Sequence, residues 1–499
     1  MTDLEPTPDV GQDAILSHNS AEPVGQVDNL SSPPAGDAAP AEASADPAGL
    51  ASPSEPPPPA GEPVSPASAA PARIPSSLKN FFQPRLLLDL VLIALILIGV
   101  YFRFAWVDWN QGTDLHPDEY GLTAHLTQIS IPKSFDEWFN TRLSPMSFYD
   151  KYDENGQRTQ AGPDNRMRWG QWPLIIIRWT AEQTGKTDYG KLRELGRQLS
   201  ALFDTGSLLF IFLIGQRLYN RRIGLLAASF SALAVMQIQQ SHFMTTDNFG
   251  AFFTAAAMYC AVRVTQIPKV SETFGVSVWQ RDWTWYVLFG IASGMAIASR
   301  INLLPLLGMI FVSAFIVYFE RLQNDDLFQV FVDASMRLGL ALAVAALTFR
   351  ITQPATFRAE QGDTGFFTLQ ANPDWSDSMQ VAQSESSGVG GGPPGEQWTN
   401  RIALVFPLMN MVLWGLGVPL GLTAWGGFAW ALWRVMKDRE REEWRAHLLP
   451  LVWAGGYFLF MGTRWVKSIR YFLPIYPFMA LFAAWALYEI WVKFNKEKD

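Results

Sequence analysis

The 499-residue chain has a single cysteine, Cys260, and only 17% charged residues. One cysteine excludes an internal disulfide and leaves the redox compartment open. We expect Cys260 to lie inside a membrane span as a small hydrophobic side chain. The low charge is accompanied by 49% hydrophobic residues and 20 tryptophans. This composition is unusual for a soluble protein and predicts a chain that resides in a membrane.

Residues 1–72 contain no lysine or arginine, and they have few aromatic or large aliphatic side chains. Such a segment cannot bury enough apolar surface to offset the entropy of ordering, so we predict that residues 1–78 form a disordered cytoplasmic tail. It also lacks the basic start and apolar core of a signal peptide. Its acidic residues account for the negative net charge of −8. The acidic pI therefore describes the tail and not the remaining chain.

Residues 79–499 contain many apolar segments of the length that crosses a bilayer, about 20 residues. The pattern predicts an all-α, polytopic transmembrane bundle of about ten spans. The spans are expected near 86–107, 198–217, 223–241, 248–264, 284–299, 301–319, 330–349, 414–433, 447–462 and 471–491.

Lysine and arginine recur in alternate short loops, which predicts that both termini are cytoplasmic in a multi-pass plasma-membrane protein. Two long segments, 108–197 and 350–413, then lie on the outer face, where we expect function to be concentrated. Within the second of these segments, the glycine-rich stretch 388–395 could be a gate over a cavity or simply a flexible connection. It lacks the lysine of a nucleotide-binding loop, and nothing in the chain indicates a nucleic-acid partner.

Some basic residues stand on the outer side against the positive-inside pattern. A topology error or a snorkelling side chain could explain any one of them. Together they favour an outward cationic cavity, and arginine can bind phosphate oxygens through two parallel hydrogen bonds. The candidates for contact with the phosphate of an anionic lipid are Arg103, Arg300, Arg350, Arg464, Lys467 and Arg470.

The segment His116-Pro117-Asp118-Glu119 follows the first predicted span. Proline followed by two acids is also how an ordinary helix begins. A second acidic site, Asp247, stands in Thr245-Thr246-Asp247-Asn248 before the fourth span, where it could simply cap a helix. Both acidic sites are expected on the same outer face as the arginines, beside His116 and His242. Carboxylates and phosphate-binding cations on one face favour a transferase site.

Adjacent helical residues diverge, so Asp118 and Glu119 cannot both address one reacting atom. We interpret Asp118 as the general base for an acceptor hydroxyl and Glu119 as a residue that orients a neighbour or holds the loop. Asp118, Asp247 and His116, with His125, could hold a divalent metal, although their spacing matches no compact metal motif. No cofactor is otherwise predicted.

Several short motifs resemble, in their order along residues 86–499, the GT-C membrane glycosyltransferases of the protein O-mannosyltransferase and aminoarabinose transferase branch. The similar segments are His116-Pro117-Asp118-Glu119 with Arg103 before it, Trp169-Gly170-Gln171-Trp172-Pro173-Leu174, Arg197-Gln-Leu-Ser, Tyr219-Asn-Arg-Arg-Ile-Gly224, Asp247, Gly294-Met-Ala-Ile-Ala-Ser-Arg300 and Arg470-Tyr471-Phe-Leu-Pro474.

The resemblance implies a hexosyl- or pentosyltransferase that takes sugar from a polyprenyl-phosphate carrier, usually with inversion at the anomeric carbon. It implies Asp118 as base, Asp247 as a second acidic residue, and Arg300 and Arg470 as phosphate contacts, with Tyr471 beside them. A lipid, a glycan or a protein could be the acceptor. Gln171 stands where the aminoarabinose branch keeps a lysine, and the large soluble repeat domain of eukaryotic mannosyltransferases is lacking.

Two other functions stay open from the sequence. The acids and arginines could line the pathway of a transporter or flippase for a lipid-linked glycan, or the chain could be a silent scaffold that keeps the GT-C helices. Transporters commonly place charges near the bilayer midplane and contain internal repeats. Here the charges fall at the ends of spans and no repeat is visible, which favours transfer.

Overall fold

The structure is a computed structural model, and it describes residues 84–152, 155, 157–162, 167–266, 276–319, 326–358, 365–389, 393–437 and 444–496. The predicted tail, residues 1–78, lies outside the described residues, as do parts of the basic loops. The described chain is helical, with one short antiparallel hairpin between β1 (Lys151–Tyr152) and β2 (Arg158–Gln160).

The α-helices follow one another through the described chain. They are α1 (Pro84–Phe104), α2 (Pro117–Gln128), α3 (Phe135–Phe139), α4 (Gln171–Thr184), α5 (Tyr189–Leu218), α6 (Arg221–Ala232), α7 (Val235–Ser241), α8 (Asp247–Thr265), α9 (Val276–Ser299), α10 (Gly308–Tyr318), α11 (Leu327–Thr352), α12 (Pro373–Ser387), α13 (Pro393–Glu396), α14 (Val405–Asn410), α15 (Val418–Lys437), α16 (Trp444–Gly462) and α17 (Tyr476–Lys496).

Three short 3₁₀ helices and one π-helical turn complete the helical elements of the described chain. The 3₁₀ helices are Ile301–Leu307, Pro354–Thr356 and Ile469–Ile475, and the π-helical turn is Met411–Gly415.

The predicted fold class, a polytopic helical bundle, is confirmed, and each of the ten predicted spans falls on helical chain. Five segments of the described chain are long and apolar enough to cross a membrane, and a sixth forms if α6 and α7, bent by 59°, count as one span. By this criterion the described residues supply five or six spans, whereas ten were expected. Helices such as α15 and α16 are rich in glycine and tryptophan, which lowers their hydropathy.

Small residues allow the helices of the bundle to pack closely. A Cβ at Gly215 would meet the Cα of Gly224 at 2.8 Å, so the α5 and α6 backbones touch. Such contacts are typical of helices that associate within lipid. The central helix is α17, in which Phe478 and Leu481 are fully buried, whereas only 17% of the apolar window of α1 is buried. The outermost helices therefore present apolar side chains outwards.

Arg103 was expected to contact a lipid phosphate, and the structure contradicts that prediction. Its side chain is fully buried between α1, α5 and α6. The guanidinium donates to Asp204 Oδ2 at 2.7 Å and to the carbonyl oxygens of Gly99, Ser231 and Ala232. Since α6 ends at Ala232, Arg103 satisfies carbonyls left open at a helix C-terminus. It holds the bundle together and cannot reach an external ligand.

Substitution of Asp204 by asparagine is expected to destabilise the fold strongly. The change leaves Arg103 buried without its counter-ion, which costs about 3 to 5 kcal/mol when one partner of a buried pair is removed. Thermal unfolding in detergent measures the effect. The matched control is Asp188→Asn, because Asp188 pairs with Lys191 at 3.0 Å on the exposed surface and should shift the midpoint little. Equal midpoints for the two variants would contradict the structural role of Asp204.

Candidate carboxylate and arginine site

The start of α2 fixes the acidic motif in space. Pro117 occupies the first helical position, and His116 is the N-cap, whose Nδ1 accepts a hydrogen bond from the backbone N–H of Glu119 at 3.2 Å. Proline and acids in the first turn suit the open amide groups of a helix N-terminus. The ordinary helix start and the functional motif are thus the same segment.

Glu119 points into the protein. Its carboxylate receives two hydrogen bonds from Arg197 of α5, at 2.7 and 2.6 Å, and a third from the backbone N–H of Met244 at 2.9 Å. Glu119 is 2% exposed and Arg197 is fully buried. Arg197 also donates to Asn110 Oδ1 and to Val107 O in the loop after α1. This ion pair joins α2, α5, that loop and the segment before α8.

Asp118 points the other way, as the divergence of adjacent helical residues requires. Its Oδ2 pairs with Arg470 at 2.6 Å, and about a quarter of each side chain is exposed. Arg470 lies in the 3₁₀ helix that leads into α17. The first acidic motif and the last motif of the chain therefore meet.

Asp247 stands at the first residue of α8 and pairs with Arg300, which follows α9. The Arg300 guanidinium lies 4.8 Å from the Tyr471 ring centroid, and that of Arg470 lies 5.3 Å from the same ring. One tyrosine thus contacts both cations. We call Asp118, Arg470, Tyr471, Arg300 and Asp247 the paired site.

The backbone beside the paired site is closely packed. A side chain at Gly170 would collide with the carbonyl oxygens of Ala298 and Ser299, directly before Arg300. Gln171, next in the chain, accepts from the Ala355 N–H through Oε1, while its own N–H donates to Gln353 Oε1. Gln171 is therefore a buried link between α4 and the end of α11. It does not offer a charge to a ligand.

The remaining basic candidates differ in their surroundings. Arg350 is 6% exposed, donates to the carbonyl oxygens of Gly365 and Phe366, and lies over aromatic rings. It therefore supports the segment that contains Gly365 and is not placed as the phosphate contact expected from the sequence. Arg464 is exposed and lies over the Phe460 ring. Lys467 is 5% exposed, donates to Trp465 O at 3.0 Å and makes no ion pair with a described carboxylate. Burial lowers the pKa of Lys467.

His242 was a site candidate, but the structure makes it a structural residue. Nδ1 lies 2.8 Å from Ile238 O, and Nε2 lies 2.8 Å from Ala105 O. Both ring nitrogens thus have backbone partners. Its neighbour Phe243 packs against the His116 ring, with centroids 4.5 Å apart.

The candidate metal ligands do not come together. Among the described residues no group of three or more His, Cys, Asp or Glu could hold a metal ion. Asp118 and Asp247 each face an arginine, and His116 uses Nδ1 as a helix cap. His125 contacts the rings of Phe148 and Trp169. This arrangement does not supply the ligands of the divalent metal that the sequence left as a possibility.

The solved structures that share this fold include the apo oligosaccharyltransferase of Archaeoglobus fulgidus, with a TM-score of 0.51 and 14% identity over 84% of this chain and 52% of that chain. The archaeal oligosaccharyltransferase AglB from the same organism, in complex with an inhibitory peptide and a dolichol-phosphate, matches with a TM-score of 0.51 and 14% identity over 83% of this chain and 51% of that one. The chain has the GT-C fold. It spans about half the length of these proteins.

Two further comparisons concern a part of the chain and a more weakly similar structure. Residues 178–366 match the model of the dolichyl-phosphate-mannose-protein mannosyltransferase family. ArnT from Cupriavidus metallidurans bound to undecaprenyl phosphate matches with a TM-score of 0.43 and 15% identity over 80% of this chain and 59% of that chain. No curated protein is significantly similar in sequence. The predicted resemblance to GT-C membrane glycosyltransferases is confirmed.

Sequence reasoning named the segment that begins at Arg197 but gave this residue no role, and the structure shows that it binds the carboxylate of Glu119. Nothing in the sequence indicated that the partner of Arg197 would be Glu119 and that Arg470 would pair with Asp118. Asp114 was also not considered, although it pairs at 2.8 Å with Arg193 of α5.

Substitutions of the two adjacent acids, Asp118 and Glu119, should differ in how much they destabilise the protein. Glu119→Gln removes the close counter-ion of the buried Arg197, whose other acidic neighbour, Asp108, lies 4.0 Å away. The change is expected to lower the free energy of unfolding by about 3 to 5 kcal/mol. Asp118→Asn removes a partly exposed pair and should cost less than about 1 kcal/mol. Thermal unfolding of both variants in the same detergent tests this. A larger loss for Asp118→Asn would contradict the assignment.

The N-cap histidine should make the fold sensitive to acid. Burial, with the nearby Arg470 cation, lowers the pKa of His116 below its ordinary value. The unfolded chain then takes up a proton at higher pH than the folded chain, so the contribution of His116 is complete above about pH 6.5 and is lost as the pH falls. We expect His116→Asn, which keeps a capping oxygen but does not titrate, to reduce the acid-induced fall in melting temperature between pH 7 and 5. An unchanged fall would exclude His116 as its source.

Proposed function

We propose that this protein is a membrane glycosyltransferase that moves a sugar from a polyprenyl-phosphate carrier to an acceptor hydroxyl. The observation that supports this best is the paired site, in which Asp118 and Asp247 meet Arg470 and Arg300 around Tyr471. A carboxylate can act as a base for a hydroxyl, and arginine can bind the phosphate of the leaving carrier. The GT-C fold and the partial mannosyltransferase match agree with this chemistry.

Asp118 is the proposed general base. It stands at the first turn of α2, partly exposed, and its backbone is fixed by the buried Glu119 beside it. In the reaction, the acceptor oxygen attacks the anomeric carbon as Asp118 takes the hydroxyl proton, and the bond from the anomeric carbon to the phosphate oxygen breaks. The growing negative charge on the phosphate needs a cation nearby, which Arg470 and Arg300 supply.

Lys467 is a further proposed contact for the carrier phosphate. Its ammonium group is buried, yet it makes no ion pair with a described carboxylate. It lies on the short segment between α16 and the 3₁₀ helix that carries Arg470. Arg464, on the same segment, is exposed and could meet phosphate at the edge of the site. Arg103 and Arg350 are excluded from this role by their burial and their existing partners.

The location of the reaction follows from the distribution of basic residues. We propose that the paired site opens on the extracytoplasmic side of the plasma membrane and that both termini are cytoplasmic. The domain division of the sequence, a tail at 1–78 and a membrane domain at 79–499, belongs to the same proposal. The acceptor can be a lipid, a glycan or a protein, and the sugar can be a hexose or a pentose.

Loss of the base should abolish transfer without loss of the protein. In membranes given a polyprenyl-phosphate sugar and acceptor extract, Asp118→Asn is expected to lower glycan transfer by about 10²- to 10⁴-fold, the usual contribution of a general base. The matched control is Asp114→Asn. It removes an acid that stands just before α2 and pairs with Arg193 of α5, and it should keep transfer near the wild-type rate. Wild-type transfer by Asp118→Asn would exclude Asp118 as base, whereas movement of the lipid across the membrane without transfer would favour a transporter.

A further inference from the structure

The two acids of the paired site are each bound to a cation. Asp118 accepts from Arg470, and Asp247 accepts from Arg300. A carboxylate oxygen that accepts from a guanidinium is occupied by that contact. While Asp118 Oδ2 is paired with Arg470, that oxygen is not free to approach an acceptor hydroxyl.

The two arginines are equally occupied. Their charges are balanced one for one by the two carboxylates, so an arriving phosphate meets a site that is close to neutral. Guanidinium groups bind phosphate through the same two-pronged geometry that binds carboxylate. A phosphate and the two carboxylates must therefore compete for the same hydrogen-bond donors.

We propose that the carrier phosphate displaces Asp118 from Arg470 and Asp247 from Arg300, so that donor binding itself releases the base. This inference rests on the proposed function and deepens it. The protein in the absence of donor is a self-neutralised state, and the phosphate is the ligand that exchanges with its carboxylates. No bond is made or broken in this step, because only ion-pair partners change.

The surroundings of the paired site suit such an exchange. Tyr471 contacts both guanidinium groups, so the cations keep a neighbour when the carboxylates leave. Its ring face attracts cations, and its hydroxyl is also a hydrogen-bond partner of Arg470. Asp118 is about a quarter exposed, so its released carboxylate can be hydrated, while Glu119 and Arg197 keep the backbone of α2 in place.

Lys467 gives the exchange an initial attraction. Its charge makes no ion pair with a described carboxylate, so it adds a positive charge that the pairs leave uncompensated. Arg470 follows Lys467 by three residues on the same short segment of the chain. The proposed phosphate-binding cations thus differ in function. Lys467 attracts the phosphate, and the two arginines exchange their carboxylate partners for it.

The exchange predicts that removal of an acid from the paired site strengthens the binding of an acidic ligand. Purified full-length protein is titrated with undecaprenyl phosphate in detergent, and Kd is measured for the wild type, Asp118→Asn and Asp247→Asn. Both variants are expected to bind about two- to tenfold more tightly than the wild type, because the competing carboxylate is gone. Asp114→Asn should leave Kd unchanged, and Arg470→Gln should weaken binding.

Two further ligands test whether the change in affinity comes from the phosphate group or from the polyprenyl chain. Undecaprenol, which lacks the phosphate, should bind all variants equally, and inorganic phosphate should show the same order of variants at weaker affinity. Because Asp247 is buried, Asp118→Asn is the decisive variant if Asp247→Asn unfolds, as judged by its melting temperature.

Each outcome of the titration bears on one of the two proposals. Weaker or unchanged binding by Asp118→Asn would overturn the exchange, since it would show that Asp118 does not compete with the phosphate, and it would leave the proposed transferase standing. If the wild type binds undecaprenyl phosphate no better than undecaprenol, both the exchange and the proposed donor are overturned.

Discussion

The ion pair between Glu119 and Arg197 is the contact on which the geometry of the paired site depends. It is fully enclosed, and its carboxylate is saturated by three hydrogen bonds from Arg197 and the Met244 N–H. Glu119 fixes the first turn of α2, where Asp118 stands, and it also accepts from the Met244 N–H in the segment that leads to Asp247. A buried charge pair contributes little net stability compared with apolar packing, but it specifies one arrangement, because breaking it leaves an uncompensated charge. As a result, a single ion pair positions both Asp118 and Asp247, which are far apart in the sequence.

The arginines of this protein show that charge in a membrane protein has two distinct uses. Arg103 and Arg197 are fully buried and have several partners each, so they hold helices and loops together. Arg300 and Arg470 keep some exposure, share one aromatic neighbour and each form an ion pair with one acid, and Asp247 also acts on the charge of Arg470. The number of partners separates the structural cations from those that remain available for exchange. Position relative to the membrane does not separate them, since Arg103 and Arg470 both stand at the ends of predicted spans.

The sequence predicted the helical bundle and the divergence of Asp118 from Glu119 because both depend on local patterns. Apolar runs indicate spans, and the direction of adjacent side chains follows from helical geometry. The partners could not be predicted, because the pairing of Asp118 with Arg470 depends on how the loop after α1 packs against the start of α17. Arg103 was wrongly assigned for the same reason. A lone acid within a span, Asp204, was the available signal, since an isolated charge in that position requires a buried cation.

The charge balance of the paired site also bears on the choice between transfer and transport. A pathway for an anionic lipid needs cations that release their ligand readily, whereas a catalyst needs cations that stay in place while charge develops on the leaving group. Arg300 stands beside the closely packed Gly170 and Ser299 backbones, and Arg470 lies in a 3₁₀ helix whose neighbouring residues Phe472 and Leu473 are buried. Such fixed backbones allow the side-chain partners to change while the cations remain in position. The two acids are then bound when the site is empty and free when it is filled, which is the order of events that a base acting on a second substrate requires.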